Sequence, residues 1–151
     1  MDRILMFIAT GAYSGYLPKA PGTWGSAVGV LLWLLIGRME LQPYLIVLII
    51  LFFVGVVCGG AAEKIIDRVD PPLVVIDEIV GQLLALTMAP LHPVPILLGF
   101  LLFRLFDIWK PFPANWIDQH LCGGLGIMLD DVVAGFYALL VLQLGLRLYG
   151  L

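Results

Sequence analysis

Four long, predominantly apolar stretches of this chain lack any Asp, Glu, Lys or Arg, and no other feature constrains the fold as strongly. They are Ala20–Gly37 (18 residues), Leu41–Ala62 (22), Ile79–Phe103 (25) and Val132–Leu146 (15, or 20 if Arg147 snorkels and the run reaches Leu151). At ~1.5 Å per helical residue they extend about 27, 33, 37 and 22–30 Å. A bilayer hydrocarbon core of ~30 Å needs about 20 such residues. With 62 % hydrophobic and only 13 % charged residues, 151 residues cannot hide that much apolar surface from water. The mean hydropathy of +1.05 says the same. An ordinary cytosolic domain, a disordered chain, a coiled coil and a disulfide scaffold are all excluded. One integral membrane domain over residues 1–151 remains.

Smaller signals agree. Cys58 and Cys122 show neither a pairing pattern nor zinc spacing. The net charge of −3 gives no reason to expect nucleic acid as a partner. The N-terminal apolar core, Ile4–Ala9, is shorter than the ~7–15 residues of a secretory signal. Gly25 and Gly29, and Gly55 and Gly59, are four apart, a spacing that lets helices approach closely in lipid.

The third run is interrupted at its centre by Pro90, His92, Pro93 and Pro95. Proline removes a helix donor and clashes with the preceding turn. The run is therefore predicted to form two short helices, about Glu78–Ala89 and Pro95–Trp109, folded as a hairpin. The predicted fold class is all-α: a polytopic helical membrane protein with four to five membrane-embedded helices, including this Pro-broken hairpin. The hairpin puts Arg3, Lys19, Lys64, Arg68, Arg104 and Lys110 on one side and Arg38 and Arg147 on the other, 6 against 2. A straight span gives 5 against 3. The positive-inside rule favours the hairpin, with Met1 in the cytoplasm and Leu151 outside.

This topology gathers acids on one membrane face. Asp77 and Glu78 open the third helix, Asp107 lies near the end of the fourth, Asp118 follows in a loop, and Asp130 and Asp131 open the last helix. A single acid at a helix start is explained by capping and the helix dipole. Two adjacent acids at two separate starts are not, and carboxylates at membrane depth are expensive. In Asp77-Glu78-Ile79-Val80-Gly81 and Asp131-Val132-Val133-Ala134-Gly135, a Gly follows one acid by four positions and shares its helix face. A small residue there lets a neighbour come near the carboxylate. Facing acidic segments repel unless a cation sits between them, and an oxygen-rich set suits Mg²⁺, Mn²⁺ or Ca²⁺. Arg104, Asp107 and Lys110, spaced by three, read either as a snorkelling Arg with an i,i+3 ion pair or as cations that hold a phosphate. Two Gly-containing loops, Lys19–Ser26 and Cys122–Met128, each run into an apolar helix and present backbone N–H groups suited to phosphate.

Other chemistries lack their residues. Neither cysteine has an Arg six positions later, no Asp-x-Asp pair exists, and there is no Gly-x-Ser-x-Gly elbow. His92 and His120 have no partner at a recognisable spacing. Carboxylate-plus-metal chemistry is left.

These residues resemble the phosphatidylglycerophosphatase A family of bacterial membrane lipid phosphatases. Three blocks carry the likeness: Pro21-Gly22-Thr23 through Gly25-Ser26; Asp77-Glu78-Ile79-Val80-Gly81; and Phe103-Arg104-Leu105-Phe106-Asp107-Ile108-Trp109-Lys110-Pro111-Phe112-Pro113, continuing through Asp118 and Gly123-Gly124-Leu125-Gly126-Ile127-Met128-Leu129-Asp130-Asp131-Val132-Val133-Ala134-Gly135. The resemblance covers about residues 11–140. Leu17 stands where the family often has Ser, and Cys122 where His is common. The likeness implies Mg²⁺-dependent removal of the terminal phosphate of phosphatidylglycerol phosphate. It places the enzyme in the bacterial cytoplasmic membrane with its active site facing the cytoplasm.

On that reading the catalytic set is Asp77, Glu78, Asp107, Lys110, Asp130 and Asp131. The metal ligands come from Asp77, Glu78, Asp107, Asp130 and Asp131, and Thr23, Ser26, Arg104, Gly123 and Gly124 contact phosphate. A metal-activated water and an aspartyl-phosphate intermediate are equally open. The competing reading is a small transporter or channel subunit, which predicts acids distributed through membrane depth.

Overall fold

The computed structural model describes residues 2–149. Met1 and Leu151, which carried the expected orientation of the termini, lie outside them. Among the described residues there are seven α-helices, one 3₁₀ turn (Ser14–Tyr16) and no strand. The helices are α1 (Asp2–Ala9), α2 (Pro21–Ile36), α3 (Leu41–Ile66), α4 (Ile76–Ala85), α5 (Pro93–Trp109), α6 (Ala114–His120) and α7 (Gly123–Tyr149). The all-α expectation is met. Among the described residues, two helices are long and apolar enough to cross a membrane, α3 and α7 over Gly123–Leu148, at 26 residues each. The expected number of four to five membrane helices goes beyond these two.

The proline-rich break is a turn, Leu86–His92, between α4 and α5. α4 ends four residues earlier than expected and α5 starts two earlier. The prolines explain the second shift. Pro93 occupies the first helical position and Pro95 the first turn, where N–H groups have no intrahelical partner to lose. They begin α5 rather than interrupt it. The ring of His92 accepts a hydrogen bond from Val94 N at 3.4 Å. Asp77 on α4 and Asp107 on α5 thus lie at one end of the bundle, with the turn at the other.

Three expectations are corrected near the acids. Asp130 and Asp131 do not open the last helix; they lie two turns inside α7. Asp118 is in the short helix α6 rather than a loop. The Gly-containing segments are not loops either: Pro21–Ser26 is the start of α2 and Gly123–Met128 the start of α7. For α7 the buried Ile127 and Met128 continue the apolar seam into the polar end of the bundle, and packing starts the helix nine residues before the charge-free run.

α4 is the central element. Eight of its ten residues are buried, so it is covered nearly all round. It packs on α2, α3, α5 and α7. The glycines set how closely. A Cβ on Gly25 would lie 2.7 Å from Val75 Cβ, and one on Gly29 would lie 2.8 Å from Gln82 Cβ, so α2 lies parallel against α4. On the opposite face, a Cβ on Gly135 of α7 would lie 2.5 Å from the carbonyl oxygen of Gly81. The two motif glycines face each other. Gly55 meets Met128 across the α3–α7 seam, whereas a Cβ on Gly59 would make only ordinary contacts.

The polarity is inverted relative to a water-soluble bundle. Leu35, Phe53, Val57 and Leu144 are 60–78 % exposed, while Ser26, Gln82, Thr87 and Asp131 are buried.

The Gly81–Gly135 contact is testable. Gly135→Ala forces a methyl group against backbone that cannot rotate away, and overpacking of this kind costs about 1–3 kcal/mol. Gly145, on the same helix, has nothing among the described residues within 4 Å of an added Cβ. Gly145→Ala is expected to be neutral or to stabilise by up to about 1 kcal/mol through helix propensity. Thermal unfolding of both variants in detergent measures the contrast.

Candidate active site

Asp77 and Gly81 share one face of α4, as Asp131 and Gly135 share one face of α7. Because the glycines meet, the two carboxylates one turn earlier emerge together at the top of the α4–α7 seam. Glu78, the next residue on α4, joins them. One carboxylate oxygen from each of Asp77, Glu78 and Asp131 lies within 4.8 Å of the others. Asp77 is 8 % and Asp131 3 % exposed.

None of these acids serves as a helix cap. The N-cap of α4 is Val75, with no side-chain cap bond, and Asp131 is far from either end of α7. Asp77 Oδ1, Glu78 Oε2 and Asp131 Oδ2 are buried and lack a hydrogen-bond partner. Two like charges ~4 Å apart repel by about 4 kcal/mol at an effective dielectric of 20. Ionised together, the three require a compensating cation. Their hard, anionic oxygens fit a divalent ion such as Mg²⁺.

The remaining acids are engaged by the two cations. Arg104 on α5 pairs with Asp107 one turn on, as the i,i+3 reading expected. Its guanidinium lies 3.9 Å from Glu78 and donates to Ser26 Oγ at 3.4 Å. Ser26 in turn donates to the carbonyl of Gly22 at 2.8 Å. A Cβ on Gly22 would run into Glu78 Oε1 and Arg104, so this glycine keeps space open between α2 and the cluster. Thr23 is exposed on the same turn.

Lys110 caps α5 in the left-handed conformation, φ 45°. Its Nζ donates to Asp118 at 2.6 Å and Asp130 at 2.7 Å, tying α6 to α7. Burial opposes the ammonium, but these two hydrogen bonds outweigh it and hold its pKa above the usual lysine range. Asp130 thus faces Lys110 rather than the three-carboxylate cluster.

Gly123 and Gly124 are set apart from that cluster. A Cβ on Gly124 would collide with the Val56 carbonyl of α3, so its role in this fold is close helix approach. Both line a cavity of about 770 Å³ with Glu63, Lys64 and Arg68. Cys58 and Cys122 are free thiols. His120 stacks on Trp116.

Two polar residues near the site are not among the residues the sequence assigned to it. Asp70, in the segment before α4, joins Asp118 and Asp130 around a small cavity. Gln82 is fully buried with both amide atoms unpartnered. Its spacing, one turn beyond Glu78, was the available signal.

A family model described as phosphatidylglycerophosphatase A matches residues 7–146. A protein named phosphatidylglycerophosphatase A from Escherichia coli K12 is 36 % identical over 129 residues, covering 85 % of this chain and 75 % of that protein. The protein of the same name from Haemophilus influenzae is 39 % identical over 136 residues, covering 89 % and 83 %. A Bacteroides thetaiotaomicron protein, named as a candidate phosphatidylinositol-3-phosphatase, is 34 % identical over 152 residues, covering 91 % and 90 %. No solved structure matches.

The two Lys110 contacts should separate on mutation. Asp118 is 37 % exposed, and such a pair contributes about 0–1 kcal/mol. Asp130 is 8 % exposed, and removal of a partner from a buried charge costs about 3–5 kcal/mol. Lys110→Met is expected to destabilise several-fold more than Asp118→Asn. It should also raise amide exchange across 111–122. Unfolding and hydrogen-exchange measurements on both variants check this.

Proposed function

The chain belongs to the phosphatidylglycerophosphatase A family of phosphatases, and on that premise we propose that it hydrolyses the terminal phosphate of phosphatidylglycerol phosphate to give phosphatidylglycerol, using Mg²⁺. The observation that carries this reading is the buried group of Asp77, Glu78 and Asp131, with unpartnered oxygens beside an arginine. The acids gather at one end of the bundle. That placement counts against a transporter or channel subunit, whose acids would be distributed along the helices.

Asp77, Glu78 and Asp131 would hold the cation, with Asp107 and Asp130 as flanking carboxylates. When bound, Mg²⁺ would neutralise phosphate charge and lower the pKa of a ligated water. Arg104, already held by Asp107 and Ser26, is positioned to pair with a phosphate oxygen. Phosphoryl transfer depends mainly on such positioning and charge neutralisation. Lys110 acts differently: committed to Asp118 and Asp130, it fixes α6 and α7 around the site.

In this reading α2, the α4–α5 hairpin, α3 and α7 are all embedded in the bacterial cytoplasmic membrane. The apolar exterior and the 6-to-2 bias of basic residues support it, with the acid end towards the cytoplasm. The substrate's acyl chains then stay in the bilayer while its phosphate reaches the carboxylates.

Phosphate release by purified protein tests the activity. Phosphatidylglycerol phosphate is expected to be turned over faster than phosphatidylinositol 3-phosphate, and both far faster than glycerol phosphate. EDTA should abolish the reaction and Mg²⁺ restore it. Full activity in excess chelator would refute the metal.

Asp77→Asn and Asp131→Asn preserve shape but weaken the ligand, so turnover should fall by ~10²-fold or more, about 2.7 kcal/mol of barrier. Glu40, beyond the other end of the bundle, is the control, and Glu40→Gln should turn over normally.

Orientation has its own measurement. In intact cells an impermeant thiol reagent should label His92→Cys and miss native Cys122 until the membrane is opened. The reverse pattern would invert the topology.

A further inference from the structure

The apolar exterior has a groove of about 570 Å³ between α2 and α5. Ala27, Val30 and Leu31 form one wall; Ile96, Leu97 and Phe100 form the other. Its size falls within the ~300–1,000 Å³ of small-molecule sites.

Three features give it direction. Its head lies directly below the Arg104–Ser26 bridge, since Arg104 follows Phe100 by one turn and Ser26 precedes Ala27. At that head Arg104 Nε is buried and unpartnered. The walls also open sideways, with Leu31 62 % and Leu97 59 % exposed, so an occupant enters laterally. Finally, the lining changes from hydrocarbon to guanidinium within one helical turn. That sequence of environments matches an amphiphile with an anionic head and a hydrocarbon tail.

The other cavities lack this match. The apolar groove of about 300 Å³ beside α3 is lined by apolar residues alone, from Leu45 to Val132, and none of them lies one helical turn from a basic side chain. The α3–α7 cavity balances Lys64 and Arg68 against Glu63 and Asp67.

We propose that the α2–α5 groove is the acyl-chain site of the lipid phosphomonoester on which the active site acts. This rests on the function proposed above and adds the route and the residues that hold the tail. The phosphate lies at Arg104, and the chain runs from Phe100 towards Pro93, along about 10 Å of α5 at 1.5 Å per residue.

The test compares long-chain phosphatidylglycerol phosphate in mixed micelles with its dibutyryl analogue. Ala27→Phe and Leu97→Trp fill the groove, and Leu97 is exposed enough that its replacement leaves the core untouched. Both should lower kcat/KM on the long-chain substrate about tenfold or more, as expected for lost hydrophobic pocket contacts, mainly through KM. Rates on the dibutyryl analogue should stay near the parent's. Ile49→Trp, in the α3 groove, should change neither. A photoreactive group near the end of an acyl chain should cross-link to α2 and α5.

No loss with either groove variant, equal loss on both substrates, or selective loss with Ile49→Trp overturns the proposal. A parent protein that releases no phosphate from the long-chain lipid refutes the function itself, which keeps the two failures distinct.

Discussion

The backbone contact between Gly81 of α4 and Gly135 of α7 is the constraint on which the site depends. Only residues without a Cβ allow two helices to come this close. Because Asp77 and Asp131 each lie one turn before their glycine, the same contact brings two carboxylates to one point. Gly22, Gly25 and Gly29 do the equivalent for α2, keeping it near Glu78 and Gln82. Small residues thus decide where the charges stand, and the large apolar residues fill the space left over.

Bringing charges together creates an electrostatic problem that the fold meets only in part. Arg104 compensates Asp107 and approaches Glu78, and Lys110 compensates Asp130 and Asp118. Among the described residues, no basic side chain pairs with Asp77 or Asp131. The two cations are held on either side of the buried pair, which leaves its oxygens available to something outside the chain. A bundle built only for stability would fill this position with apolar residues, since buried ionic groups rarely improve stability over packed hydrocarbon. Retaining them at the polar end of an otherwise apolar bundle is consistent with phosphatase chemistry carried out at the edge of a membrane.

The inverted polarity of the bundle supports the proposed setting of that chemistry. Leucines and phenylalanines face outward along most of the length, and the acids occupy one end. An amphiphile lying beside such a surface meets hydrocarbon along its tail and charge at its head. The α2–α5 groove repeats that gradient on the scale of a single chain.

How much of this could be read from residues alone depends on the range of the interaction. The charge-free runs disclosed α2, α3, α4, α5 and α7 but not the short α1 and α6, and three prolines in six residues disclosed the turn between α4 and α5, because both are local effects of hydropathy and backbone chemistry. The acid–x₃–Gly pattern likewise disclosed that Asp77 and Asp131 would lie near a close helix contact. The sequence could not show that the two glycines meet each other, since the pattern specifies a helix face but not the helix it meets. Nor did it show that α7 begins at Gly123, which takes Asp130 and Asp131 out of capping positions: the charges that ended the apolar run were mistaken for the end of the helix. The division of labour between the cations was also tertiary. Arg104 and Lys110 are equivalent as charges on a stripe, but the left-handed turn at Lys110 swings its ammonium towards α6 and α7, whereas Arg104 stays within α5 and reaches Ser26 and Glu78. Local chemistry therefore specified which residues were available, and helix packing decided which of them share a site.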